Sequence, residues 1–299
     1  MMTSAYRVVD YFPAEHILND GVFAHLDEID AQTPGALVYC QNLHYLQKAL
    51  ATPNVACALC PESLKNEELA TEKSIVFCAD PRASFFHLYN RLSEEKKCAT
   101  AQAPTIGKNC TLHPSAVISP LATLGNNVEI SANVVIEGPV EIGDNVYIGS
   151  NAVVGAEGLI TLRNDNGTLM VVKHQGGVRI ESGCQILAGA VIARSLFQQP
   201  TTISENCQIG IMTNVGHGAV IGKNSVISGN TVIAGRTRLG AGVWVGASCS
   251  IAQGLVIGDA VQIKMGSVVI GDIAPNSVVS GNFAINHRTN MTAHLRKQK

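Results

Sequence analysis

From Ile203 onward the chain places an apolar residue at every sixth position: Ile203, Ile209, Val215, Ile221, Ile227, Ile233, Leu239, Val245, Ile251, Ile257, Ile263 and Val269. The same step runs earlier through Ile106, Leu112, Ile118, Leu124, Ile130, Ile136, Ile142, Ile148, Val154 and Ile160, and again through Ile180, Ile186 and Ile192. Only 46% of the residues are apolar, so twelve hits in succession do not arise from composition. A helix buries residues at a period of 3.6 and a half-buried strand at 2, and neither explains a step of six. A parallel β-helix does. Each hexapeptide forms one flat side, three sides make a coil of about 18 residues, and the periodic residue stacks inside. Glycine, Asn and Asp then serve the corners, where φ is often positive. At the usual interstrand spacing of about 4.8 Å, some eight or nine coils make a prism roughly 40 Å long.

The rhythm breaks twice, between Ile160 and Ile180 around "TLRNDNGTLMVVKHQGG" and between Ile192 and Ile203 around "RSLFQQPTT". Both breaks read as loops ejected from the prism, the places where a rigid scaffold tends to carry its binding residues. Lys173, His174 and Gln175 in the first loop are therefore candidate substrate contacts.

Before the repeats the rhythm is that of a small α/β domain. "ALVYC", "VACALC" and "SIVFC" read as buried strands. "NLHYLQKALA", "PESLKNEELA" and "PRASFFHLYNRLSEE" carry helical spacing, with Pro61 and Pro81 where helices begin. The chain thus divides into an α/β domain with its linker over 1–104, the β-helix over 105–282, and a short basic tail over 283–299. The fold expected is mainly β.

A formal net charge of -2 and only 15% charged residues give no reason to expect nucleic acid as a partner. No apolar run is long enough to cross a bilayer, and the first residues lack the basic and apolar regions of a signal peptide, so the expectation is a cytoplasmic protein. Nine scattered cysteines suit reduced core thiols. Cys57 and Cys60 lie in a buried strand with no second pair at zinc spacing, and no metal site is expected.

Within "NVGHGAVIGKNSVISGNTVIAG", His217 stands two places after the inward Val215, so its ring should face outward. One coil further along, Gly235 should lie against it. A neutral imidazole can take a proton from an amine or hydroxyl attacking a thioester, and a bare glycine amide can meet the developing oxyanion. Spacing alone leaves a surface or subunit-contact histidine equally open.

Taken together, these features make the chain resemble the UDP-3-O-acylglucosamine N-acyltransferases of the lipid A pathway, along nearly its whole length. The features in question are the small N-terminal domain, "HPSAVI" opening the repeats, an ejected loop ending near "QGGV", and "NVGHGAVIG". The resemblance implies a left-handed β-helix, a homotrimer with active sites between subunits, His217 as catalytic base and the Gly235 amide as oxyanion donor. It also implies that Tyr39, Asn42 and Tyr45 of "YCQNLHY" hold a uracil ring, with Tyr where the family usually has Phe. The acyl donor would be a thioester of acyl carrier protein or coenzyme A, with no permanently bound cofactor. The basic tail that holds Arg288 either meets the phosphates of that donor or is simply solvated. The acceptor would be a nucleotide-linked amino sugar bound for lipid A or a surface polysaccharide. Three features depart from the family pattern: Gly254 where a second active-site histidine is usual, a short C-terminal tail, and the form of "ARSLFQQPTTI". They keep two alternatives open, an acetyl-coenzyme A-dependent N-acetyltransferase and a non-catalytic sugar-nucleotide-binding protein.

Overall fold

The structure, a computed structural model, describes residues 5–95, 103–163, 167–281 and 288. The chain divides into two compact units: one of residues 1–102, 157–176 and 195–200, the other of residues 103–156, 177–194 and 201–299. Residues 96–102 of the linker, Cys98 among them, and the basic tail apart from Arg288 lie outside the described residues.

The second unit is a parallel β-helix. Three sheets of eight, eight and nine strands run along it, and nearly every strand is two or three residues long. Each strand pairs in parallel with the residue one coil on, as Asn214 and Val215 do with Val232 and Ile233. The inward residue of each pair is the periodic apolar one, and from Ile203 to Val269 all twelve are buried. Nine corner asparagines, among them Asn109, Asn127 and Asn145, have positive φ, a conformation that Asn tolerates better than other non-glycine residues. The side chains of these three stack down one edge, Asn127 donating to Asn145 at 3.0 Å, and Asn133 donates to Asn151 at 3.3 Å on another.

Corner carbonyls that would otherwise be buried without a partner are met from the preceding coil. Thr213 donates to the Ser228 carbonyl at 3.1 Å, Thr231 to Gly246 at 3.1 Å and Thr237 to Ala252 at 3.0 Å. The Cys207 and Cys249 thiols make the same bond at 3.1 and 3.2 Å. Small polar side chains therefore sit inside a dry core without the penalty of a lost hydrogen bond.

Both rhythm breaks leave the coil. Ile142 pairs with Ile180 and Ile180 with Ile203, where an unbroken coil would put partners 18 residues apart. Here the structure departs from the sequence expectation. Ile160 is not a coil position: it packs with Leu162, Val172 and Leu196 in the core of the first unit. Its place in the hexad series is a coincidence of spacing, since an isoleucine serves either core.

The first unit is a five-stranded sheet in the order Ile17–Leu18, Ser74–Cys78, Val55–Pro61, Ala36–Tyr39, His25–Leu26, parallel except at its first edge. Strand alternation sends Leu37, Cys57, Leu59 and Val76 to one face, against helix α2 (Pro81–Glu95). It sends Val38, Ala58, Cys60 and Ile75 to the other, against helix α1 (Leu43–Ala51). Cys57 and Cys60 thus lie on opposite faces, and burial pushes both thiols up to about 12. "PESLKNEELA" departs from its expected helix. Only a single 3-10 turn forms, Glu62–Leu64, because Leu64 and Leu69 alone find a core to pack on.

Ile227 is fully buried in the middle of the stack. Ile227→Ala is expected to cost about 2–5 kcal/mol, the transfer loss plus an unfilled cavity, read as a lower midpoint in denaturant unfolding.

Candidate functional site

The coil that carries His217 is fixed from both sides. Gly216 N–H donates to the Ile233 carbonyl at 2.8 Å, and the His217 carbonyl accepts from Arg236 N–H at 2.8 Å. Gly218 turns the corner at φ +66°, and its N–H donates to Thr201 Oγ1 at 2.8 Å. Thr201 is itself fully buried, its own N–H bonded to the Gly177 carbonyl. The turn is over-determined, so the imidazole leaves the backbone in one direction.

That direction is outward. Val215 is in the core, whereas His217 is half-buried. The ring lies against Gly235: a methyl group there would stand 2.6 Å from His217 Nε2 and 2.8 Å from Cδ2. Gly235 has no left-handed φ, so its lack of a side chain answers to this contact and not to backbone strain. Among the described residues the Gly235 N–H donates to no protein acceptor. Burial lowers the pKa of His217 below that of an ordinary histidine, which favours the neutral form that can accept a proton.

Three neighbours escaped the sequence reading. Gln253 is exposed one coil beyond Gly235, and Gly254, with φ +73°, has nothing within 4 Å of where a Cβ would stand. Arg236 follows Gly235 at φ +63°. Arg194 stands two residues past Ile192 as His217 stands two past Val215, and Ile192 pairs with Val215. Its Nη1 donates to the Gly155 carbonyl at 3.2 Å. The register could have revealed Arg236 and Gln253; the chain break after Arg194 hides that residue from counting.

In the first unit "YCQNLHY" spans a strand–helix junction. Tyr39 ends a strand and packs on Phe85 and Phe86, with ring centroids 5.1 and 5.9 Å away. Asn42 is the N-cap of α1, its Oδ1 accepting from Tyr45 N–H at 3.2 Å. Tyr45 is exposed on the helix. With one lone pair of Oδ1 engaged in the cap, the NH2 end of Asn42 is left to donate to a base edge.

The first ejected loop is anchored on α2. Lys173 Nζ pairs with Glu94 at 3.2 Å, and Lys173 N–H donates to Asn90 at 3.1 Å. Gln175 Nε2 donates to the Tyr89 carbonyl at 2.9 Å, and the Tyr89 hydroxyl donates to the Leu196 carbonyl of the second ejected segment. His174 is buried. Gln175 also lines a cavity of about 160 Å³ with His25, Tyr6, Tyr89, Phe197 and Gln198. Arg288 is an exposed, helical residue. No helix among the described residues is long and apolar enough to cross a membrane.

Residues 103–138, 121–156 and 200–235 match the family of bacterial transferase hexapeptides (six repeats), and 236–270 the hexapeptide repeat of succinyl-transferase. The β-helix thus carries the repeats of hexapeptide transferases. No match is found among curated protein sequences. Among solved structures, UDP-N-acetylglucosamine acyltransferase from Campylobacter jejuni is 26% identical, with a TM-score of 0.53 over 60% of this chain and 68% of that one. Another UDP-N-acetylglucosamine acyltransferase is 22% identical with a TM-score of 0.56, over 67% of this chain and 76% of that one. That of Bacteroides fragilis is 21% identical with a TM-score of 0.53, over 64% and 74%. The last two share the fold.

Two outcomes follow from these contacts. Gly235→Ala should leave the melting temperature near wild type, because the methyl displaces only the movable ring, while turnover falls at least tenfold. Asn42→Asp keeps the cap and should melt as wild type, whereas Asn42→Ala should lose about 1 kcal/mol; both should weaken binding of UMP in calorimetry.

Proposed function

We propose that the protein is an acyltransferase that moves an acyl group from a thioester to the amine of a nucleotide-linked amino sugar. The observation that carries this reading is the half-buried imidazole of His217, its pKa lowered by burial, lying on a side-chain-free Gly235. The hexapeptide match and the likeness to the Campylobacter jejuni enzyme support acyl transfer as the reaction class.

In this reading the amine attacks the thioester carbonyl as His217 takes its proton. The tetrahedral oxyanion accepts a hydrogen bond from Gly235 N–H. Collapse breaks the carbon–sulfur bond, and the imidazolium returns the proton to the departing thiolate. Such base catalysis is worth about 10²- to 10⁴-fold. Tyr39, Asn42 and Tyr45 hold the base, and Arg288 meets phosphates of a coenzyme A or acyl-carrier-protein donor. For Lys173 and Gln175 the contacts with α2, and for His174 its burial, support a role in shaping the first unit, with Gln175 alone of the three lining a cavity.

A homotrimer belongs to the same reading. Exposed Val117, Val232 and Val268 share an outward row that a second copy would cover.

One finding favours a second reading, O-acylation. The Campylobacter jejuni protein is described as acting on UDP-N-acetylglucosamine, whose amine is already acylated, so a hydroxyl would be the nucleophile. Offering UDP-glucosamine and UDP-N-acetylglucosamine side by side, each with acyl-carrier-protein and coenzyme A thioesters, separates amide from ester products by mass. Failure of every pair to give product would sink both readings.

His217→Ala should lower kcat by at least 10²-fold with the fold intact. Because the active form is neutral and burial lowers the pKa, wild-type activity should hold as pH falls through about 6.5, the ordinary histidine value, and drop only below it. The same shift makes His217 favour the folded state above its unfolded pKa, an advantage lost as pH falls through the lowered folded value. An acid limb above 6.5 in kcat/KM would contradict the assignment.

A further inference from the structure

Corner residues of this β-helix with positive φ are nearly all asparagine or glycine. The exceptions among the described residues are Met212, Arg236, Ser248 and Ala260, and Arg236 is the one that carries a charge. A long side chain in the left-handed region is strained. Arg236 is exposed. The strain falls beside Gly235 and hence beside His217, whose carbonyl accepts from Arg236 N–H.

The flanking coils leave the side chain room. Its equivalents one coil back and one coil on are both glycines, Gly218 and Gly254, with φ +66° and +73°. A Cβ on Gly218 would touch Arg236 Cγ at 3.5 Å, so the arginine stem leans back over the coil of His217. A Cβ on Gly254 would meet nothing within 4 Å. Arg194, one coil before His217, turns its guanidinium away from this corner, to the Gly155 carbonyl at 3.2 Å.

We propose that Arg236 is an anion-binding residue of this corner, its guanidinium gripping a phosphate of the substrate as the reacting atom comes to His217. The proposal rests on the acyl-transfer reading of the same site and adds the chemistry by which substrate is held there. A guanidinium matches phosphate with two parallel N–H···O bonds, which an ammonium does not reproduce. The phosphate belongs either to the nucleotide of the acceptor or to coenzyme A, and both are met by the same grip.

The test uses the full chain, with Arg236→Asn and Arg236→Lys. Asparagine is the residue most of the other corners use, so Arg236→Asn should melt no lower than wild type. Calorimetry with UDP, uridine and coenzyme A as probes should show wild type binding UDP or coenzyme A. Arg236→Asn should weaken that one ligand at least tenfold, with uridine unaffected, and Arg236→Lys should lie between. In turnover the loss should fall mainly on KM for the same substrate. Unchanged binding of both phosphate ligands by Arg236→Asn would overturn the grip while leaving acyl transfer standing. So would a melting temperature well below wild type, which would assign the arginine to stability. If wild type binds neither UDP nor coenzyme A, the grip and the acyl-transfer reading fall together.

Discussion

The constraint on which everything else depends is the hydrogen bonding of each coil to the next at a fixed 18-residue offset. A strand of two residues has no stability alone. It exists here because the coils before and after it supply its partners, as Asn214 and Val215 find both Val191 and Ile192 on one side and Val232 and Ile233 on the other. Stability in such a stack is shared between neighbours, and the same bonds that pair the sheets also fix the corners. Gly216 N–H to Ile233 and Arg236 N–H to His217 are members of that set. The position of the imidazole is thus a property of the whole lattice and not of a local loop.

Because the offset is fixed, the β-helix was legible wherever the count ran unbroken. The twelve periodic residues from Ile203 fill one core, and Gly235 lies against His217 because no insertion falls between their coils. Legibility ended where the chain leaves the coil. Ile160 matched the step yet serves the first unit, since burial by either core selects the same residue type. Arg194 sits in the last position before a break, where counting forward from it points to the wrong partner. Tertiary packing also overrode local pattern in "PESLKNEELA", where helical spacing was present but the surface to bury it was not.

The two ejected segments were read as loops and are better described as parts of the first unit. Lys173 and Gln175 are ordered by Tyr89, Asn90 and Glu94 on α2. These contacts join residues about eighty apart in sequence, a separation at which no local signal exists. Asn42 shows the converse case. An Asn immediately before an apolar-periodic run is a helix N-cap signal, and the structure uses it as one. A cap and a base contact draw on opposite ends of the same amide, so the two uses are compatible, provided the base offers an acceptor.

The chemistry available at the corner is set more by what surrounds His217 than by the ring itself. A neutral imidazole can take the proton of an amine or of a hydroxyl, so it selects neither N- nor O-acylation. Selection has to come from groups that orient the sugar, and the two coils that follow the ring carry Arg236 and Gln253. The lattice limits which positions can carry such groups. Inward positions are committed to the core, and most corners to asparagine or glycine. A side chain outside the repeat's own pattern therefore enters either at an outward corner place, as His217 does, or at a left-handed corner, as Arg236 does.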